Sequence, residues 1–217
     1  MNFEAKLLYG EYQYSLKARL CMSNSVITKQ AIAASFKKLM ELKPFDKISI
    51  SDITAGCDLN RQTFYYHFQD KYELINWIFY NEVIKPVDKQ LLPENWERGI
   101  CDMFRLMLRD KKFYTNAIRY SNTEFSGYLF RIVREKYYEV VEDMKTELNK
   151  EITDTDKNFI ASFFAYGSAG IITEWIKKGM KEAPEMMSSM LSNAMRDCEK
   201  FAVKHYFGQM NTGTEKA

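Results

Sequence analysis

The sequence predicts an all-α fold, with a three-helix unit near the N-terminus followed by a larger helical part, and three observations carry that prediction. Breakers are scarce, with 4 Pro and 9 Gly in 217 residues, which leaves few points at which helices must stop and few turn clusters for hairpins. Apolar residues recur at spacings of three and four, the period of a helix face. Hydroxyl and carboxylate pairs that cap helix starts stand between those periodic runs. At 46% hydrophobic residues the chain can bury a substantial core. Its 31 Lys+Arg against 29 Asp+Glu leave a net charge of only +2, so bulk charge argues for no particular partner.

Residues 1–23 show no sustained period and read as a flexible N-terminal extension. Ile32, Phe36 and Leu39/Met40 then predict a first helix over Thr28 to Leu42, stopped by Lys43-Pro44. Ser49-Ile50-Ser51-Asp52 has the form of a capping box and opens a short helix over Ile50 to Cys57. Cys57-Asp58-Leu59 makes a turn, and Asn60 caps a third helix running to Phe68. Asp70 to Glu73 repeats the capping form and starts a helix that reaches about Ile84. Further helices follow at about Glu94 to Arg109, Lys111 to Tyr120, Glu124 to Lys150, Asp154 to Gly179 and Pro184 to Phe207. The polar residues 209–217 form a tail.

Two short helices joined by a tight turn are the smallest unit that lays one helix in a DNA major groove while the other braces it. Residues 49–68 have that layout. Ile53, Leu59, Phe64 and Phe68 supply an inner apolar face, which leaves Asn60, Arg61, Gln62, Thr63, Tyr65, Tyr66 and His67 for the N-terminal end and outer face of the third helix. Arg pairs bidentately with guanine, Asn and Gln with adenine, and Thr meets a thymine methyl or a phosphate. No carboxylate lies between Asn60 and Phe68. Packing is the other account of Tyr65 and Tyr66, and a helix-end hydrogen bond is the other account of His67. Lys71 stands in the first turn of the next helix, against the helix dipole; a phosphate partner would explain it.

The run NRQTFYYHFQDKYEL, from Asn60 to Leu74, resembles the signature of the TetR family of bacterial regulators, and the resemblance extends over about Thr28 to Ile78. It implies a homodimer that binds double-stranded operator DNA. By that resemblance Arg61, Gln62 and Thr63 face base edges or the adjacent backbone, Tyr65, Tyr66, His67 and Lys71 grip phosphates, and Ser49 and Ser51 reach the backbone. It also implies a DNA-binding domain over residues 24–71 and an effector-binding and dimerisation domain over residues 72–208. Asp58 departs from the family pattern, which commonly has Gly in the turn; Asp tolerates left-handed backbone better than most residues. Within the family, the texture of residues 26–53 is similar to that of a subgroup associated with dihydroxyacetone kinase operons, in which a member can act as an activator with a partner protein.

In the C-terminal part, helical stripes at Phe164, Gly167, Ile171 and Trp175 and at Met190, Ala194 and Phe201 suit a dimer interface, with plain core as the other account. Phe104, Phe113, Tyr114, Phe125, Tyr128, Tyr137, Phe163 and Tyr166 suit a pocket for a small-molecule effector; core packing explains the same residues. A co-activator protein is the other controlling partner.

The sequence offers an enzyme little. It has two histidines, His67 and His205, and no nucleophile triad, phosphate-cradling loop or metal spacing, so neither catalysis nor a cofactor or bound metal is expected. The four cysteines Cys21, Cys57, Cys101 and Cys198 are far apart and read as free thiols of a cytoplasmic protein. No uninterrupted apolar stretch approaches a membrane span. The rival reading is a helical ligand-binding co-regulator of the same fold that has lost DNA binding.

Overall fold

The computed structural model describes residues 25–88, 95–148 and 151–202. The expected extension over residues 1–23, the tail over residues 209–217 and the last helical residues 203–207 lie outside the described residues, as do Cys21 and the side chains of Cys198 and Phe201. All regular structure among the described residues is helical. The chain divides into two compact units, up to Leu74 and from Ile75 onward.

In the first unit, α1 (residues 25–42) buries Ile32, Ala33, Phe36 and Met40 on one face. Pro44 leads into a single 3-10 turn at Phe45–Lys47. α2 (Ile50–Ala55) begins at the expected capping box: the Asp52 amide donates to Ser49 Oγ at 3.1 Å, and the Ser49 amide donates to Asp52 Oδ2 at 2.8 Å. α3 (Arg61–His67) is capped by Asn60, whose Oδ1 accepts from the Thr63 amide at 2.8 Å. Between them Asp58 takes a left-handed φ of 55°, so the turn closes without the glycine common in the family. α4 (Lys71–Phe79) starts at Asp70, whose Oδ1 accepts from the amides of Tyr72 and Glu73. The returning carboxylate bond goes one residue further back than in a strict capping box, from the Gln69 amide to Glu73 Oε2 at 2.6 Å.

α1 and α2 approach closely at one point. Ser35 Oγ is buried and donates to the Ile53 carbonyl at 2.7 Å, and Gly56, at the end of α2, lies so near that a Cβ there would overlap Ser35 Oγ. The residue is glycine because of that approach, not because of its backbone, which is right-handed at φ −70°.

In the second unit α4 runs on through a π-helical turn at Tyr80–Ile84 into α5 (Lys85–Val87). Pro86 lacks an N–H and would crowd the carbonyl four residues back in a regular helix; the wider turn, with the Lys85 amide bonded to Tyr80 O, carries the chain past it. α6 (Trp96–Arg109), α7 (Lys111–Leu148), α8 (Asp154–Lys177) and α9 (Pro184–Ala202) complete the unit, α7 lying along α8 and α6 along α9.

The sequence predicts a break at Ser121-Asn122-Thr123, whereas α7 is one helix of 38 residues. Those three residues cost helix propensity of only a few tenths of a kcal/mol each relative to good formers (about 0.5). Ala117, Ile118, Phe125 and Leu129, buried on either side, hold the helix through them. α8 is long and apolar enough by composition to cross a membrane, yet half of its apolar window is buried in the fold; Ile160, Ala161, Ala165, Ile172 and Ile176 face the core. Cys57 and Cys101 are free thiols.

Candidate nucleic-acid interface

The sequence expectation for α3 separates cleanly into two faces. Phe64 and Phe68 are buried, in contact with one another at 5.8 Å between ring centroids, while Arg61, Gln62, Tyr65 and Tyr66 are exposed. Tyr66 is 82% exposed, which removes packing as its explanation. Tyr65 is half in contact with Phe64, edge to face at 5.6 Å. Ser49, Ser51 and Asn60 are also exposed. The structure thus gathers the N-terminal ends of α2 and α3 and the outer face of α3 into the first unit's polar surface.

Several of these groups already have partners, and this limits what each can offer. Asn60 Oδ1 is committed to the cap, so its amide N–H groups remain for a ligand. Thr63 is half-buried and its hydroxyl donates to Asn60 Oδ1 at 3.1 Å, so its proton is already used. Ser49 Oγ accepts from Asp52 but keeps its own proton for donation. His67 is half-buried against Tyr66, and burial followed by the charge of Lys29 lowers its pKa. Both influences favour the neutral imidazole.

Lys71 has partners inside the chain. Its ammonium donates to the carbonyls of Phe45 at 2.9 Å and Ile48 at 2.6 Å and lies 4.3 Å from the centre of the Phe45 ring. Two of its three protons are used inside the chain, so no phosphate is needed to explain a lysine in this position. It fastens the start of α4 to the 3-10 turn ahead of α2. A second tie missed in the sequence joins Lys43 to Asp52 at 2.9 Å. With the Ser49 amide as the largest influence and Lys43 next, the Asp52 carboxyl is lowered to about 2. Lys29 also lies over the Phe68 ring at 5.3 Å. No spacing rule marks these three contacts, because each joins residues brought together only by folding.

The second unit divides the remaining candidates differently from the sequence expectation. Trp175 is buried, packs edge to face on Phe104 at 4.8 Å and donates from Nε1 to the Glu182 carbonyl at 3.1 Å, so it is core and not interface. Phe164 is partly buried against Tyr137, Ala161 and Ala165. Gly167, Ile171, Met190 and Ala194 are exposed, and a Cβ at Gly167 or Gly170 would meet nothing within 4 Å among the described residues. Phe163 and Tyr166, expected to line a pocket, are 63% and 69% exposed. They extend the same outer face of α8.

Phe104, Phe113, Tyr114 and Phe125 are buried; Phe113 and Phe125 both pack on Tyr114, Phe79 meets Tyr114, Phe125 and Tyr128 edge to face, and Phe104 packs on Trp175. An apolar cavity of this unit, about 70 Å³, is lined by Ile84, Trp96, Ile100, Met103, Ile172 and Leu191 among others, and of the expected residues it includes Tyr137 alone. Tyr137 Oη is hydrogen-bonded to Ser168 Oγ at 2.8 Å. No group of three or more metal-ligating side chains occurs among the described residues.

A capped helix-turn-helix presenting a carboxylate-free helix, in a chain otherwise built of long packed helices, defines a helical transcriptional regulator. Residues 32–78 match the family model described as bacterial regulatory proteins, tetR family, and residues 94–197 match that of a transcriptional regulator C-terminal region. The chain belongs to the TetR family of transcriptional regulators, a family of regulators and not of enzymes. It is 29% identical over 160 residues to the HTH-type dhaKLM operon transcriptional activator DhaS of Lactococcus lactis subsp. lactis (strain IL1403), covering 74% of this chain and 85% of that one. A solved structure of a dihydroxyacetone kinase operon activator DhaS superposes with a TM-score of 0.63 at 26% identity, over 81% of this chain and 98% of that one. A TetR-family regulator from Streptomyces coelicolor, at 12% identity and a TM-score of 0.53 over 82% and 85% of the two chains, shares the fold.

Proposed function

We propose that this regulator binds a partly palindromic operator as a homodimer, with α3 of each copy in a major groove. Control would come from a small molecule or a partner protein bound by the second unit. The observation that carries the reading is the outer face of α3: Arg61, Gln62, Tyr65 and Tyr66 exposed together, with no carboxylate among them, on a helix fixed at both ends. Arg61 and Gln62 are the base-reading residues. Ser49, Ser51, Asn60, Thr63, Tyr65, Tyr66 and His67 position the duplex, through phosphates or, for Thr63, a thymine methyl. Lys71 acts behind them by holding the frame.

The pairing surface is the outer face of α8 and α9, where Phe163, Gly167, Ile171, Met190 and Ala194 are exposed. Two reading helices then stand one DNA turn apart, roughly 34–36 Å, and an effector acts by differential affinity for two spacings. The similarity to a dhaKLM operon activator supports a role at an operon of that kind. Anisotropy titrations on duplexes from the chain's own upstream region test the reading. Arg61→Ala is expected to relax preference at one base pair in each half-site, at a cost of about 1–3 kcal/mol. Equal affinity of wild type and variant for operator and unrelated duplex would overturn it.

A further inference from the structure

The groove between the start of α6 and α9 has no part in the operator reading, and its unsatisfied groups share one character. It encloses about 480 Å³ and is lined by Asn95, Trp96, Glu97, Arg98, Cys101, Arg105, Glu185, Ser188, Ser192 and Arg196. Its two carboxylates are already engaged. Glu185 accepts from Arg105 Nη2 at 2.7 Å and Nε at 3.1 Å, and Glu97 lies 3.7 Å from Arg196. Ser188 Oγ is used as well, donating to the Glu185 carbonyl at 3.0 Å.

What remains is a set of donors. Arg98 is exposed and has no ion-pair partner among the described residues. Ser192 is 1% exposed, and its Oγ has no hydrogen-bond partner among the described residues. A buried hydroxyl left without a partner costs about 1–3 kcal/mol, so its retention calls for an explanation. The first turn of α6, a helix of 14 residues, also lines the groove, and Asn95 at its N-cap makes no side-chain hydrogen bond to it. Its amide groups and the positive end of the helix dipole favour an anion.

We propose that this groove is a binding site for a small oxyanion, the phosphate or carboxylate group of a metabolite, held by Arg98, the Ser192 hydroxyl and the first-turn amides of α6. Trp96 forms a wall of both this groove and the apolar cavity inside the unit, so occupancy bears on the packing beneath it. Arg98 supplies the charge-assisted hydrogen bonds, and Ser192 distinguishes a built site from a surface cation.

The test uses the full chain and no DNA, so its failure leaves the operator reading standing. Calorimetric titrations with inorganic phosphate and with acetate, at ionic strength matched by chloride, distinguish the two head groups. Saturable binding of either, weakened about tenfold by Arg98→Gln and about threefold by Ser192→Ala, is the expected result. Arg98→Lys should keep part of the affinity, and Arg119→Gln, an exposed arginine outside the groove, should bind as wild type. Ser192→Ala should also leave the unliganded chain as stable as wild type or more so, since it removes an unpaired group; this separates lost binding from lost folding. Absence of saturable binding for both ions, or wild-type affinity in Ser192→Ala, would overturn the proposal.

Discussion

Substituting Gly56 by Ala gives the most direct check on how the helix-turn-helix is held together. The backbone there, at φ −70° and ψ −5°, accepts alanine without strain, and on that ground alone the change should stabilise by about 0.4–1 kcal/mol through the unfolded chain. The added methyl, however, overlaps Ser35 Oγ. To make room Ser35 must rotate and give up its 2.7 Å bond to the Ile53 carbonyl, leaving a buried hydroxyl unpaired at a cost of about 1–3 kcal/mol. The second effect is larger, so Gly56→Ala should destabilise by about 1–2 kcal/mol. In a Ser35→Ala background the obstacle is gone, and the nearest remaining Ser35 atom is Cβ at 3.4 Å, a tight but tolerable contact. There the same substitution should be neutral or stabilising. Urea unfolding of wild type, the two single variants and the double variant, followed by far-ultraviolet circular dichroism, measures the coupling. An equal cost for Gly56→Ala with and without the Ser35 hydroxyl would refute the close-approach account.

Four other outcomes follow from the structure. Lys71→Met, which keeps the aliphatic stem, should destabilise the chain by about 1–3 kcal/mol in urea unfolding, because the carbonyls of Phe45 and Ile48 lose their donor; the salt dependence of operator binding should stay as in wild type. Asp52 titrates at about 2 in the folded chain, below its ordinary 3.8. The folded state thus binds fewer protons, and Asp52 contributes stability above pH 3.8 that is lost as pH falls toward 2. Asp52→Asn should flatten the fall in urea midpoint between pH 4 and pH 2.5. Trp175→Ala should lower stability by about 3–5 kcal/mol as a core truncation, whereas Ile171→Glu should leave unfolding of the dilute chain nearly unchanged and shift sedimentation equilibrium toward monomer.

The first unit was legible because its information is local. Caps at Ser49, Asn60 and Asp70 lie within four residues of the amides they serve, and α3 is short enough for its two faces to be read from spacing alone. Lys71 shows where that legibility ends: its partners are 23 and 26 residues away, so sequence offered a dipole conflict and the fold supplied the resolution. The second unit is mostly long-range. A stripe at helical spacing does not say which helix covers it: Trp175 and Ile171, four residues apart and so on neighbouring positions of one side of α8, are buried and exposed respectively only because packing ends between them. Of the aromatic candidates only Tyr137 lines the apolar cavity described above. Aromatic residues at this density satisfy one another, and the cavity opened where Ile, Met and Leu side chains leave a gap.

The outer face of α8 carries a thermodynamic implication. Gly167 and Gly170 lie inside a 24-residue helix, where each weakens the helix by about 1 kcal/mol relative to alanine, and nothing among the described residues occupies the space their missing side chains leave. If the proposed pairing fills that space, the cost is recovered only when two copies meet. Folding and association are then linked by mass action, and the melting temperature of this regulator becomes a function of how many copies are present.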